Sequence, residues 1–333
     1  MNAAEIPFGG GVSRRFTRRP KGQSTVEYVL VIAIIGLVIV FAGPGLAGAI
    51  RNQFNTVAGI LGNGIAGGTW EPSGSGNGNG ALTDADIVDP VHGMAFAVYS
   101  EDDHSLMFYK RKGLPKVGDM FNSRRVTQVY TGFEAAKYTH DSHTVTDGLA
   151  NTCDTPWYGV KDDILSASVI DTGIKPKSLS YWFANMLNVR AIDIEKLEPS
   201  SPVACSWTFI NCRKMTSVSL PADLKPSQIN DIFYYCSSLQ SDGLSMPGFD
   251  TSLCTDMWFA FYCCKSLTYI PGIENWDTSS NRVFEGMFYN SPNLVADLST
   301  WDVSLSQSGS SIPHNNFDFG AGCPGVILPK AWQ

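Results

Sequence analysis

The 333-residue chain contains no phosphate-binding glycine loop, no Gly-x-Ser-x-Gly elbow and no paired Cys-x-x-Cys motif. The first absence removes the phosphate cradle of a nucleotide hydrolase. The second removes the exposed, strained serine of an α/β-hydrolase, and the third a zinc finger or ribbon. No catalytic residue, cofactor or metal site is therefore assigned, and the chain is read as a non-enzyme. Basic charge is also scarce over most of the length. Arg14, Arg15, Arg18, Arg19 and Lys21 crowd into the first 22 residues against Glu5 alone, while the whole chain carries a net charge of -7. The body is thus acidic, which argues against nucleic acid as its partner. A basic head on an acidic body suits a protein whose head stays in the cytoplasm while the body is exported.

Charge is missing altogether from Tyr28 to Ile50. A helix of that length rises about 34 Å, enough for a bilayer core of roughly 30 Å. Gly43-Pro44-Gly45 would weaken or kink it. An ordinary single-pass anchor with positive flanks accounts for the arginines and the hydrophobicity. It leaves unexplained Glu27, a carboxylate at the edge of an apolar run, where an ionisable group usually has a partner and a task. It also leaves unexplained Gly22, five residues before that glutamate. The small-residue site lies before the apolar run, whereas a secretory signal places it after.

Gly22-Gln23 followed by Glu27-Tyr28 and an apolar run resembles the start of a type IVb pilin of the Flp (tight-adherence, Tad) class. The resemblance implies that a prepilin peptidase cuts between Gly22 and Gln23. The 23–68 segment would rest in the membrane before assembly and then pack with other pilin subunits, Glu27 and Tyr28 serving assembly. A lone carboxylate in an apolar bundle is costly, and pairing with a neighbour's N-terminal ammonium would compensate it. Residues 1–22 would be the basic leader. Residues 69–80 contain Glu-Pro-Ser-Gly-Ser-Gly-Asn-Gly-Asn-Gly at 71–80, a composition that buries no core and reads as a flexible linker.

Residues 81–177 read as a β-rich lead-in. Met94–Ser100 and Ser105–Tyr109 alternate aromatic and aliphatic residues around the turn Glu101-Asp102-Asp103-His104, which predicts a hairpin. Arg125–Phe133 predicts a further strand. Thr155–Tyr158 and Ser168–Ile170 continue the pattern.

From Tyr181 onward the chain repeats. Phe183-Met186-Val189-Ile192, Phe209-Cys212-Met215-Val218, Phe233-Cys236-Leu239, Phe261-Cys264-Leu267-Ile270 and Phe288-Ser291-Leu294 share one register with a period near 26 residues. Cys323, Val326 and Leu328 fit a degenerate sixth, capping copy. A period of this length predicts a solenoid in which stacked neighbours make one continuous core. Each unit is read as a short helix ending near the Cys position, followed by a strand. The fold class expected is thus α+β with repeats: a long N-terminal hydrophobic α-helix, a β-rich lead-in, and a leucine-rich-repeat-type α/β solenoid of about five repeats over 178–333.

Phe-Tyr-Tyr-Cys-Ser-Ser-Leu (233–239), Phe-Asp-Thr-Ser (249–252), Trp-Asp-Thr-Ser (276–279) and Gly-Met-Phe-Tyr-Asn-Ser-Pro-Asn-Leu (286–294) resemble BspA-like leucine-rich-repeat surface proteins. Met186 and Ser291 replace the Cys, and Leu220-Pro221-Ala222-Asp223 departs from the Asp-Thr-Ser turn. That family implies a cell-surface module associated with adhesion and carries no catalytic residues. The combined expectation is a Tad/Flp-type pilin subunit, minor or at the tip, that displays the solenoid for adhesion to an extracellular protein or glycan receptor. Localisation would pass from the cell membrane to the pilus or cell surface. The alternatives are a single-pass surface adhesin that does not polymerise and a secretion-system pseudopilin gripping cargo.

The remaining candidates are weaker. His140-Asp141-Ser142-His143 has loose spacing for a metal and reads as a solvated loop. Asp84-Ala85-Asp86 and Asp162-Asp163 lack the further oxygens and glycine of a calcium loop. Cys212, Cys236 and Cys264 should stack on successive rungs, with an unlinked buried thiol column preferred over disulfides between them. Cys153, Cys205, Cys254, Cys263 and Cys323 lie outside it as the better disulfide candidates. Trp258, Tyr262, Trp276, Tyr289 and Trp301 recur at similar repeat phases and are the candidate binding surface, with a core role as the alternative.

Overall fold

The hairpin predicted from alternation is present, and the rest of the molecule is built outward from it. The computed structural model describes residues 83–139, 153–307 and 318–333, all within the unit Gly59–Gln333. The cut site Gly22/Gln23, Glu27, Tyr28, the 23–68 segment, the 69–80 linker and His140–His143 lie outside the described residues.

β1 (Met94–Ser100) and β2 (Ser105–Arg111) pair antiparallel, from Met94 opposite Arg111 to Ser100 opposite Ser105. The two-residue period sends side chains to two different cores. Ala95, Ala97, Tyr99, Leu106 and Phe108 face the main core. Phe96, Val98, Met107 and Tyr109 face a small outer one with Ala85, Phe121 and Val126. Phe121 lies in β3 (Met120–Phe121), which pairs with β4 (Arg124–Arg125). β5 (Gln128–Thr131) lies on the other side of β1 and is shorter than the run expected at 125–133. β6 (Ser166–Val169) pairs parallel with β2 and turns the antiparallel hairpin into the first rung of a parallel stack.

β7 (Ala191–Asp193), β8 (Val203–Ala204), β9 (Ser217–Ser219), β10 (Pro226–Gln228) and β11 (Leu244–Ser245) follow. One seven-stranded sheet runs β11-β9-β7-β6-β2-β1-β5, so it crosses the junction of lead-in and repeats without a break. β8 pairs with β10. β12 (Val295–Asp297) pairs with β13 (Gly325–Ile327), both pairs being parallel.

The expected α/β architecture is corrected here. Among the described residues the only α-helix is the four-residue α1 (Ser304–Gln307). The described residues form a β-solenoid, mostly short strands and turns. No helix of the described residues is long and apolar enough to cross a membrane, so the long helix expected at the N-terminus is no part of the described fold. The short helix expected in each repeat is absent for a physical reason. Across 181–186 the N–H groups alternate in direction. Those of Tyr181, Phe183 and Asn185 donate to Ser206, Thr208 and Ile210 of the next coil at 3.3, 2.9 and 2.8 Å. Those of Trp182, Ala184 and Met186 donate three residues back at 3.2, 3.1 and 3.4 Å. A helix would turn every N–H onto its own segment. The Phe-x-x-Cys spacing of three, which suggested a helical face, comes instead from successive tight turns.

Each coil carries two left-handed residues four apart, on either side of its Phe: Tyr181 and Asn185, Trp207 and Asn211, Asp231 and Tyr235, Phe259 and Cys263, Gly286 and Asn290. Asn and Gly tolerate that conformation best. At Gly286 (φ 56°) a second reason applies, because an added Cβ would lie 2.1 Å from the ring of Phe259. Asp318 and Gly322 repeat the pair, which places Cys323 at the Cys position of a sixth coil.

The repeat register maps onto columns. Phe183, Phe209, Phe233, Phe261 and Phe288 are fully buried and stack with centroid spacings of 5.6, 5.2, 5.4 and 5.9 Å. Beside them runs a ladder of side-chain donors. Cys212, Cys236 and Cys264 Sγ donate to the carbonyls of Phe183, Phe209 and Phe233 at 3.2, 3.1 and 3.1 Å. Ser291 Oγ donates to Phe261 at 2.8 Å, and Cys323 Sγ to Phe288. From the second coil onward the position holds a compact buried donor to the preceding coil, which explains why Ser substitutes for Cys, while Met186 stands there in the first coil. All eight cysteines are free and buried, so the disulfides expected among Cys153, Cys205, Cys254, Cys263 and Cys323 are not formed. We therefore predict that Cys236→Ser changes unfolding free energy by under about 1 kcal/mol. Cys236→Val, which leaves the ladder and overfills the column, should cost about 1–3 kcal/mol. Denaturant unfolding of both variants under reducing conditions checks this.

Candidate functional site: an aromatic ridge

The residue after the buried Phe is itself buried in the first two coils, as Ala184 and Ile210, and half-buried in the next three. In three successive coils that residue is tyrosine: Tyr234, Tyr262 and Tyr289. Their rings stack along the solenoid, Tyr234 on Tyr262 at 4.6 Å and Tyr262 on Tyr289 at 4.8 Å, with interplanar angles of 18° and 12°. That spacing is the separation of neighbouring strands in a sheet. The backbone ladder therefore sets the ring spacing.

Further aromatics widen the row. Phe259 meets Tyr262 edge-on at 5.0 Å and stacks on Trp258 at 4.7 Å. Tyr235 packs against Tyr234 at 4.9 Å, and the Arg213 guanidinium lies 5.3 Å from its ring centre. Tyr181 and Trp207 pair in the two preceding coils at 5.6 Å. Trp207, Tyr234, Tyr235, Trp258, Phe259, Tyr262 and Tyr289 are all half-buried, and Trp207 and Tyr234 pack against the main core. Burial raises the Tyr262 phenol to about 12 and raises that of Tyr234 as well. Both hydroxyls are therefore neutral hydrogen-bonding groups across the physiological range.

Of the five aromatics expected at a binding surface, the structure brings together Trp258, Tyr262 and Tyr289. Trp276 and Trp301 are elsewhere and buried, 8% and 5% exposed. They stack on each other at 6.1 Å, Phe249 stacks on Trp276 at 5.3 Å, and the Trp301 indole donates to the Ile273 carbonyl at 3.1 Å. These three rings open the turn that reads Phe-Asp-Thr-Ser, Trp-Asp-Thr-Ser and Trp-Asp-Val-Ser. Asp250, Asp277 and Asp302 each accept from the N–H two residues on, at 3.0, 3.0 and 2.9 Å. Thr251 and Thr278 reach the Asp carbonyl of the next coil, both at 2.9 Å. The turn motif is thus a stacking device. Tyr234, Tyr235, Phe259, Trp207 and Arg213 were missed. The recurring Phe-Tyr pairs at 233–234, 261–262 and 288–289 were the available signal.

Among the described residues no group of three His, Cys, Asp or Glu side chains is placed to hold a metal ion. The arrangement suits binding: a half-buried aromatic row with neutral hydroxyls on a rigid repeat.

The fold and ridge define a class, the repeat β-solenoid with one aromatic edge. Residues 203–320, which hold most of the ridge, match a family described as "Mycoplasma protein of unknown function, DUF285". No curated protein and no solved structure matches the chain.

Proposed function

We propose that this protein is an exported binding module whose aromatic ridge engages an extracellular protein or glycan at the cell surface. The observation that carries the reading is the half-buried aromatic row continuing over successive coils, with Tyr and Trp in the positions that typically dominate binding energy. The resemblance of the repeats to BspA-like surface proteins supports display outside the cell. The Gly22-Gln23…Glu27-Tyr28 pattern supports delivery as a minor or tip subunit of a Tad/Flp-type pilus. Bulk favours the minor role, because so large a body on every subunit would crowd a filament of small pilins.

The full-length protein should bind at least one member of a panel of immobilised extracellular-matrix proteins and glycans. Tyr262→Ala, which removes the central ring of the row, should weaken that binding by tenfold or more while the protein remains folded. Binding that is unchanged in Tyr262→Ala would exclude the ridge as the contact surface. A panel with no binder would remove the reading altogether.

A further inference from the structure

We infer that Asp231 is carried as a neutral acid in the folded chain, forming an acid-stabilised joint where its coil meets the coil of Asp256 and Trp258. Asp231 is 4% exposed and occupies a left-handed position of its coil. Its N–H donates to the Trp258 carbonyl at 2.8 Å, and the N–H of Ile229 donates to the Asp256 carbonyl at 2.9 Å, so the two segments lie side by side. One carboxyl oxygen, Oδ2, is buried without a hydrogen-bond partner. Neither Asp231 nor Asp256 takes part in an ion pair among the described residues. The Asp256 carboxyl is itself turned along the same edge, accepting the Trp258 N–H at 3.0 Å.

The groups facing Asp231 do not compensate a negative charge. Asn230 adjoins it on its own coil and accepts a hydrogen bond from Ser206 Oγ. Asp256 faces it from the next coil, Tyr234 from its own, and Tyr181 from the far side of Trp207's coil. Cys254, on the other side of Asp256, is a thiol whose ionisation burial suppresses. A buried carboxylate with an acid for a neighbour neutralises rather than remain charged. Desolvation and the Asp256 charge both push the Asp231 carboxyl well above its ordinary range, and burial raises Asp256. A proton on Asp231 removes an uncompensated buried charge from the contact between the third and fourth coils.

The sign follows from linkage. A carboxyl whose value is raised by folding binds its proton more tightly in the native state. Its stabilisation is complete below the unfolded value near 4 and is lost as pH rises toward the folded value. Asp250, held down to about 2 chiefly by the Lys225 hydrogen bond, has the opposite sign and finishes titrating below this window. Unfolding of the full chain is measured from pH 5 to 8, with infrared detection of protonated carboxyl at pH 6. The unfolding constant of the wild type should rise by up to about tenfold per pH unit. Asp231→Asn, which also tolerates the left-handed backbone, should flatten that slope and be the more stable protein at pH 8. The protonated-carboxyl band should be present in the wild type and absent from the variant. An unfolding constant that is level or falls with pH, an unaltered slope in Asp231→Asn, or no such band in the wild type would overturn the inference. The wild-type band and slope decide it even where the variant does not fold.

Discussion

Phe233→Ala is expected to destabilise the solenoid by about 3–5 kcal/mol, the range for deleting a fully buried aromatic side chain. Phe233 has no exposed surface and lies between Phe209 at 5.2 Å and Phe261 at 5.4 Å. Alanine removes a packed ring from the middle of the column and with it two ring contacts, each worth about 0.5–1.5 kcal/mol beyond burial. The site cannot collapse readily. The spacing of the coils on each side is fixed by backbone bonds, such as Phe209 N–H to Ile232 and Phe233 N–H to Ala260 at 3.0 and 2.9 Å. A repeat array has only nearest-neighbour interfaces, and this cavity weakens two of them at once. Phe233→Leu fills most of the volume and should cost distinctly less. Equilibrium denaturation in urea gives the comparison. A loss below about 1 kcal/mol for the alanine variant would mean that the Phe column is not a principal source of stability.

Asp171→Ala should be comparably severe, about 3–5 kcal/mol, for an electrostatic reason. Asp171 and Arg111 are 7% and 8% exposed. Arg111 Nε donates to Asp171 Oδ2 at 2.7 Å and its terminal nitrogen to Oδ1 at 3.3 Å, while the Lys110 N–H also reaches Oδ2 at 3.0 Å. The guanidinium lies over Tyr109 and Phe121, at 5.1 and 5.4 Å from their ring centres. Arginine stays charged throughout the accessible pH range. Removing the carboxylate therefore leaves a buried cation beside the outer core and an orphan backbone donor. Replacing both partners, in Arg111→Met with Asp171→Ala, should recover much of the loss, because an absent pair costs less than half of one. Thermal unfolding of the single and double variants distinguishes the two. A double variant no more stable than the single one would show that shape, not charge, governs the site.

How far the sequence disclosed this architecture depended on which periodicity was unambiguous. The hairpin of β1 and β2 was legible because a strict period of two has one structural meaning. The register of the Phe and Cys columns was legible because five copies place the same residue types at one phase. The local conformation of the repeat was not, since a spacing of three serves a helical face and a run of tight turns equally well. What separates them is the hydrogen bonding of alternate N–H groups to the next coil, and that depends on the stack. The aromatic surface divided along the same line. Trp258, Tyr262 and Tyr289 share one edge, whereas Trp276 and Trp301 belong to the Asp-Thr-Ser turn and are packed inside. Asp231 gave no signal, because an isolated aspartate in a repeat looks like a solvated turn residue until the neighbouring coil covers it.

N-terminal sequencing of the mature protein, taken from a sheared cell-surface fraction, tests most directly the central claim that the solenoid is carried out of the cell on a processed pilin-type segment. A mature chain beginning at Gln23 and recovered in that fraction is the predicted result. A chain beginning at any other residue, or one absent from the surface fraction, would contradict it.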